Sequence, residues 1–153
     1  MADMEYCHTQ KAPLHWLGHG LAIVLLVSAW LSRATPAIEI ILAVTACVTV
    51  VFAFSFRYLT VTGQGEWLSV RFGPLPIFGK RIPYSDITAV KAGCSSLMDG
   101  WGIHYIPGRG STYNLWGFGC VVLHLGKRIV RIGTDDVENL VAFVSRKIKL
   151  GDF

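Results

Sequence analysis

Residues 14–56 read LHWLGHGLAIVLLVSAWL (14–31), SRATP (32–36) and AIEIILAVTACVTVVFAFSF (37–56). At 1.5 Å per residue, these apolar segments of roughly 18 and 20 residues predict helices of about 27 and 30 Å, enough to cross a hydrocarbon core. The expectation is a transmembrane helical hairpin closed by a short turn. His15, Trp16 and Trp30 occupy the positions of an interfacial belt, whereas Gly18, His19 and Gly20 weaken the first turns. Glu39 falls one turn inside the second segment, at a depth where its carboxylate reaches water and Arg33 can pair with it.

Working outward, residues 1–13 form a short polar tail with no expected order. The tail mixes Asp3 and Glu5 with Lys11, and no small-x-small cleavage site stands out, so a signal peptide is not expected. Lys11, Arg57 and Arg71 flank one side of the hairpin and Arg33 alone the other. The basic bias therefore predicts a two-pass protein of the bacterial inner membrane with both termini cytoplasmic.

Downstream, residues 57–150 have ordinary soluble composition. From Arg57 onward there are 12 Lys or Arg against 7 Asp or Glu, a charge of about +5. That balance suits an anionic membrane surface and is too small and scattered for nucleic acid. Cys7, Cys47, Cys94 and Cys120 form no C-x-x-C pair, so neither a disulfide framework nor a zinc site is implied.

The chain leaves the hairpin directly into Tyr58-Leu59-Thr60-Val61-Thr62, turns at Gly63-Gln64-Gly65, and continues into Glu66–Phe72, where Leu68, Val70 and Phe72 share one face. Further extended segments follow at about Phe78–Ile82 and Ile87–Ala92. Next come two strands across Pro107-Gly108-Arg109-Gly110 and a hairpin over Gly126-Lys127. A helix over about 135–150 closes the chain. Thr134 or Asp135 caps it, with Val137, Val141, Val144 and Ile148 on one face. The expected fold is an N-terminal transmembrane hairpin followed by a mainly-β domain of seven strands in two near-orthogonal sheets with one C-terminal helix.

Three passages, LTVTGQGEWLSVRFGPLPIFGKRIPYSDI, GWGIHYIPGRGSTYNLWGFGCVVLHL and IGTDDVENL, resemble in content and order the bacterial pleckstrin-homology-like (PH-like) domain family, in its small form with two transmembrane helices. The resemblance covers essentially all of residues 57–150. It implies two nearly orthogonal sheets plus a C-terminal helix and a non-catalytic role in membrane-associated scaffolding, protein contact or self-assembly, with no cofactor. Eukaryotic PH domains bind phosphoinositides through basic residues between their first two strands. The corresponding loop here, Thr62–Glu66, carries none, so that activity is not carried over, and Phe143 takes the space of their usual closing-helix Trp.

Two sets of residues stand out as sites. Trp101, Arg109, Tyr113, Trp116 and Phe118 are of the types that dominate interface hot spots and form the candidate partner-binding set; the alternative is that rings such as Trp101, Tyr105 and Tyr113 close the barrel. Arg57, Lys80, Arg81, Lys127, Arg128 and Arg131 form the candidate anionic-lipid contact, if they converge. Expected partners are membrane lipids and other membrane or cytoplasmic proteins, including a second copy, without nucleic acid. A triad of Cys94, His104 and Asp99 is conceivable, but nothing in its sequence surroundings activates the thiol. The function expected is a membrane-anchored interaction module, the alternative a lipid- or small-ligand sensor using the open end of the barrel.

Overall fold

In the structure, a computed structural model, residues 4–75, 77–95 and 101–150 are described. The chain runs β1 (Met4–Lys11), α1 (His15–Leu31), α2 (Pro36–Ser55), β2 (Tyr58–Gln64), β3 (Trp67–Gly73), β4 (Gly79–Pro83), β5 (Ala89–Cys94), β6 (Gly102–Ile106), β7 (Gly110–Asn114), β8 (Gly119–Leu125), β9 (Arg128–Gly133) and α3 (Val137–Leu150). Among the described residues nine strands form a four-stranded sheet, β1-β2-β3-β4, and a five-stranded sheet, β5-β8-β9-β7-β6. The expected seven-stranded domain behind a hairpin is therefore corrected. Eight strands fall on segments that read as extended, one more than the total expected, and β1 adds a ninth ahead of the helices.

The two-span reading is corrected as well. Of the described helices only α2, with 20 residues, is long and apolar enough to cross a membrane. The 17 residues of α1 reach about 26 Å, and its polar start removes His15 through Gly20 from the firmly apolar part. Arg33 does not pair with Glu39; its guanidinium lies over the Trp30 ring, 4.4 Å from the centroid.

β1 was not legible because polar contacts, rather than apolar alternation, hold it. Its inward side chains are Tyr6, His8 and Gln10. The Tyr6 hydroxyl donates to Asp136 Oδ2 (2.9 Å), His8 Nε2 meets Asp135 Oδ1 (2.5 Å), and Gln10 Nε2 donates to the Trp116 carbonyl (2.9 Å). Burial, and then the Asp136 carboxylate that accepts its proton, hold the Tyr6 phenol above its ordinary pKa. β1 thus clasps the segment that enters α3, where Thr134 Oγ1 accepts the Asp136 N–H (3.1 Å) in a turn just ahead of the helix.

Between the sheets, the pleat delivers Leu59 and Val61 of β2, Leu68, Val70 and Phe72 of β3, Val121 and Leu123 of β8, and Val130 and Ile132 of β9 to one core. α3 covers it with Leu140, Phe143 and Val144; Val137, Val141 and Ile148 are only partly buried, so the apolar stripe is centred beside the expected one. Phe143 stacks on Tyr6 (centroids 5.2 Å) and meets Tyr84 edge-on (6.1 Å). Gly63 is required below this ring, since a Cβ there would stand 2.3 Å from Phe143 Cζ.

α1 and α2 lie against each other through small residues. Ala22, Ala29, Ala46 and Ala53 are buried, and a Cβ on Gly18 would stand 2.7 Å from that of Ala53. The outer face keeps Leu17, Ile23, Val24, Leu31, Ile41 and Val44 exposed, each by more than half. Because β1 pairs with β2, with Lys11 opposite Tyr58, the chain leaves the sheet for α1 and returns from α2 at the same point.

Candidate functional site

The side of the sheets that meets the helices is built from aromatic rings. Phe56, at the end of α2, packs on Phe72 of β3 (5.0 Å) and Phe78 ahead of β4 (5.4 Å), and Phe52 also reaches Phe78 (5.9 Å). Beside Phe78, Leu75 and Ile77 are exposed, Ile77 by 60%. On the other flank, Trp101 and Trp116 stack at 4.5 Å. Trp101, Gly102 and Leu115 wall an apolar cleft of about 380 Å³ with Leu14, Leu17, Leu21 and Phe56. The strand β6, which among the described residues pairs only with β7, begins at this cleft and exposes Ile103 and Tyr105. One face thus carries the exposed apolar helices, an apolar loop and a row of Trp and Tyr side chains, the composition of a membrane–water interface.

The candidate partner-binding residues do not form one patch. Trp101 and Trp116 stand beside α1. Tyr113 is half-buried in a second cleft, where burial pushes its phenol pKa up. Arg109 sits in the β6–β7 turn, its carbonyl accepting from Arg131 Nη1. Phe118 is half exposed near Ser95, whose N–H its carbonyl accepts (2.7 Å).

The basic set divides in the same way. Lys80, Lys127 and Arg128 come together around that second cleft, of about 210 Å³. Arg131 is used within the fold, tying β9 to the β6–β7 turn. Arg81 lies with Arg71 and Ser69 against a separate polar surface of the four-stranded sheet, and Arg57 is exposed where α2 gives way to β2. What the sequence missed is that Tyr113, placed in the partner set, belongs with three residues of the lipid set. The parallel pairing of β7 with β9 causes this, and no local pattern announces a pairing between strands two elements apart.

The conceivable catalytic triad is not assembled. Cys94 ends β5 and His104 lies on β6, the two edge strands of the five-stranded sheet. His104 Nε2 is 2.7 Å from the Trp101 carbonyl, and Asp99 lies outside the described residues.

The placement of Trp101 yields a measurable expectation. In vesicles containing shallow-brominated lipid, a variant retaining only Trp101 is expected to be quenched strongly. One retaining only Trp67, at the far end of β3, is expected to stay near its unquenched intensity. Equal quenching of the two would show that the Trp101 face does not lie on the bilayer.

No family model matches this chain, and no curated protein matches it significantly.

Proposed function

We propose that this protein is a membrane-held interaction module. Its one long apolar helix, α2, anchors it in a lipid bilayer, and the two sheets rest on the bilayer surface and present faces to other membrane or cytoplasmic proteins or to a second copy. The observation that carries the reading is the exposed apolar surface of α1 and α2, coupled to the pairing of β1 with β2. Exposed large apolar side chains that follow one another along a helix mark a surface covered by something other than water. Lys11, Arg57 and Arg71 at the sheet side favour a cytoplasmic location for the sheets. The order of motifs between Leu59 and Leu140 supports kinship with bacterial PH-like domains. In this reading the role is non-catalytic.

Two features support contact with proteins. Phe118 is half exposed, and β6 offers an edge with no strand beside it among the described residues. A photo-crosslinking residue at Phe118, activated in native membranes, is expected to give protein adducts of defined mass absent when the same residue replaces the exposed Trp67. Lipid adducts alone, or the same pattern from both positions, would overturn the interaction reading.

A further inference from the structure

Three cations from separate elements surround the 210 Å³ cleft: Lys80 on β4, Lys127 in the β8–β9 turn and Arg128 at the start of β9. Among the described residues its wall contains no Asp or Glu, and none of the three forms an ion pair with a described carboxylate. Like charges that line one cleft raise the potential within it and favour an anion there. Tyr105, Tyr113 and Ile129 also line it, adding phenol hydroxyls and apolar surface to the charge. Gly110 makes the arrangement possible. Its φ of +87° suits glycine, and a Cβ there would lie against the Ile129 carbonyl, so only glycine lets the β6–β7 turn lie across β9.

Position decides which anion. Lys80 follows Phe78 by two residues, about 7 Å of extended chain, and Phe78 packs on Phe52 and Phe56 at the end of α2. The Lys80 wall of the cleft therefore lies close to the level where the apolar helix gives way to the sheets. We infer that it holds the phosphate of an anionic lipid headgroup, with Lys80, Lys127 and Arg128 around the phosphate and Tyr105 and Ile129 against the glycerol. A soluble phosphate ester shares the charge. It lacks the acyl chains that would lie along the apolar wall and is not concentrated at that level by the bilayer. The inference rests on the membrane-held reading, since a cleft far from lipid would have no such ligand.

The test uses the full chain in a neutral detergent, titrated calorimetrically with dioctanoyl phosphatidylglycerol, dioctanoyl phosphatidylcholine and glycerol 3-phosphate. Phosphatidylglycerol is expected to bind. The triple variant Lys80→Gln, Lys127→Gln, Arg128→Gln should weaken that binding by about 100-fold, taking each charge near anionic lipid as worth roughly a factor of five. A control removing equal charge elsewhere, Lys91→Gln, Arg146→Gln, Lys149→Gln, should leave it unchanged. All three cleft residues are exposed, so thermal unfolding of the triple variant should match wild type. Equal binding by wild type and the triple variant, or equal binding of phosphatidylcholine, overturns the site. Displacement of the lipid by equimolar glycerol 3-phosphate would assign the cleft to a soluble phosphate ester and overturn the lipid. Carbonate extraction of wild type from membranes reads the anchoring separately: release there defeats the membrane-held reading whatever the titration gives.

Discussion

Val44→Arg is expected to drive the protein out of membranes while leaving its fold intact. Val44 lies near the middle of α2 and is 57% exposed, so the sheets and α1 do not need it. On a water-facing helix the change would cost within about 0.5 kcal/mol. At the centre of a bilayer-embedded helix, arginine costs about 2.5–3.5 kcal/mol, some two orders of magnitude in partition. Wild type should remain in the pellet after carbonate extraction and the variant should appear in the supernatant. In detergent, the circular dichroism melt should be the same for both. Retention of the variant in the pellet would mean that the apolar surface of the helices faces something other than lipid.

The second large effect concerns the contact between α3 and the four-stranded sheet. Phe143→Ala is expected to cost about 3–5 kcal/mol, a large share of the 5–15 kcal/mol that holds a domain of this size together. The ring is 4% exposed between Tyr6 and Tyr84, and the backbone below it at Gly63 cannot close a cavity quickly. Gly63→Ala alone should cost about 1–3 kcal/mol, because its methyl would overlap the same ring. Together the two changes should cost less than their sum by about 1 kcal/mol or more, since the methyl then enters space that the ring has left. Chemical denaturation of the four proteins measures this coupling. Strict additivity would show that Gly63 is not packed against Phe143.

Much of the architecture was legible where a periodic apolar pattern dictates it. The helical segments predicted at 14–31 and 37–56 form at 15–31 and 36–55. Leu68, Val70 and Phe72 share the buried face of β3 because alternation in a strand leaves them no other side. Strand β1 escaped the same reading because MEYCHTQK buries polar groups. Tyr6, His8 and Gln10 go inward on account of Asp136, Asp135 and the Trp116 carbonyl, partners more than a hundred residues away. The transmembrane reading of α1 failed on length, since His15 through Gly20 count toward the helix without supplying apolar surface throughout.

The candidate sites were legible as residue types and illegible as groupings. That Lys80, Lys127, Arg128, Trp101 and Trp116 are chemically unusual for their surroundings follows from composition and strand alternation, both local. Which of them meet depends on strand order. The parallel β7–β9 pair carries Tyr113 into the basic cleft, and the same sheet separates Cys94 from His104. The helical pair itself is written in residues 14–56, because hydrophobicity over twenty residues needs no distant partner. Its attachment is not: β1 and β2 are joined only across those helices, and that long-range pairing makes the sheets a cap on the helices.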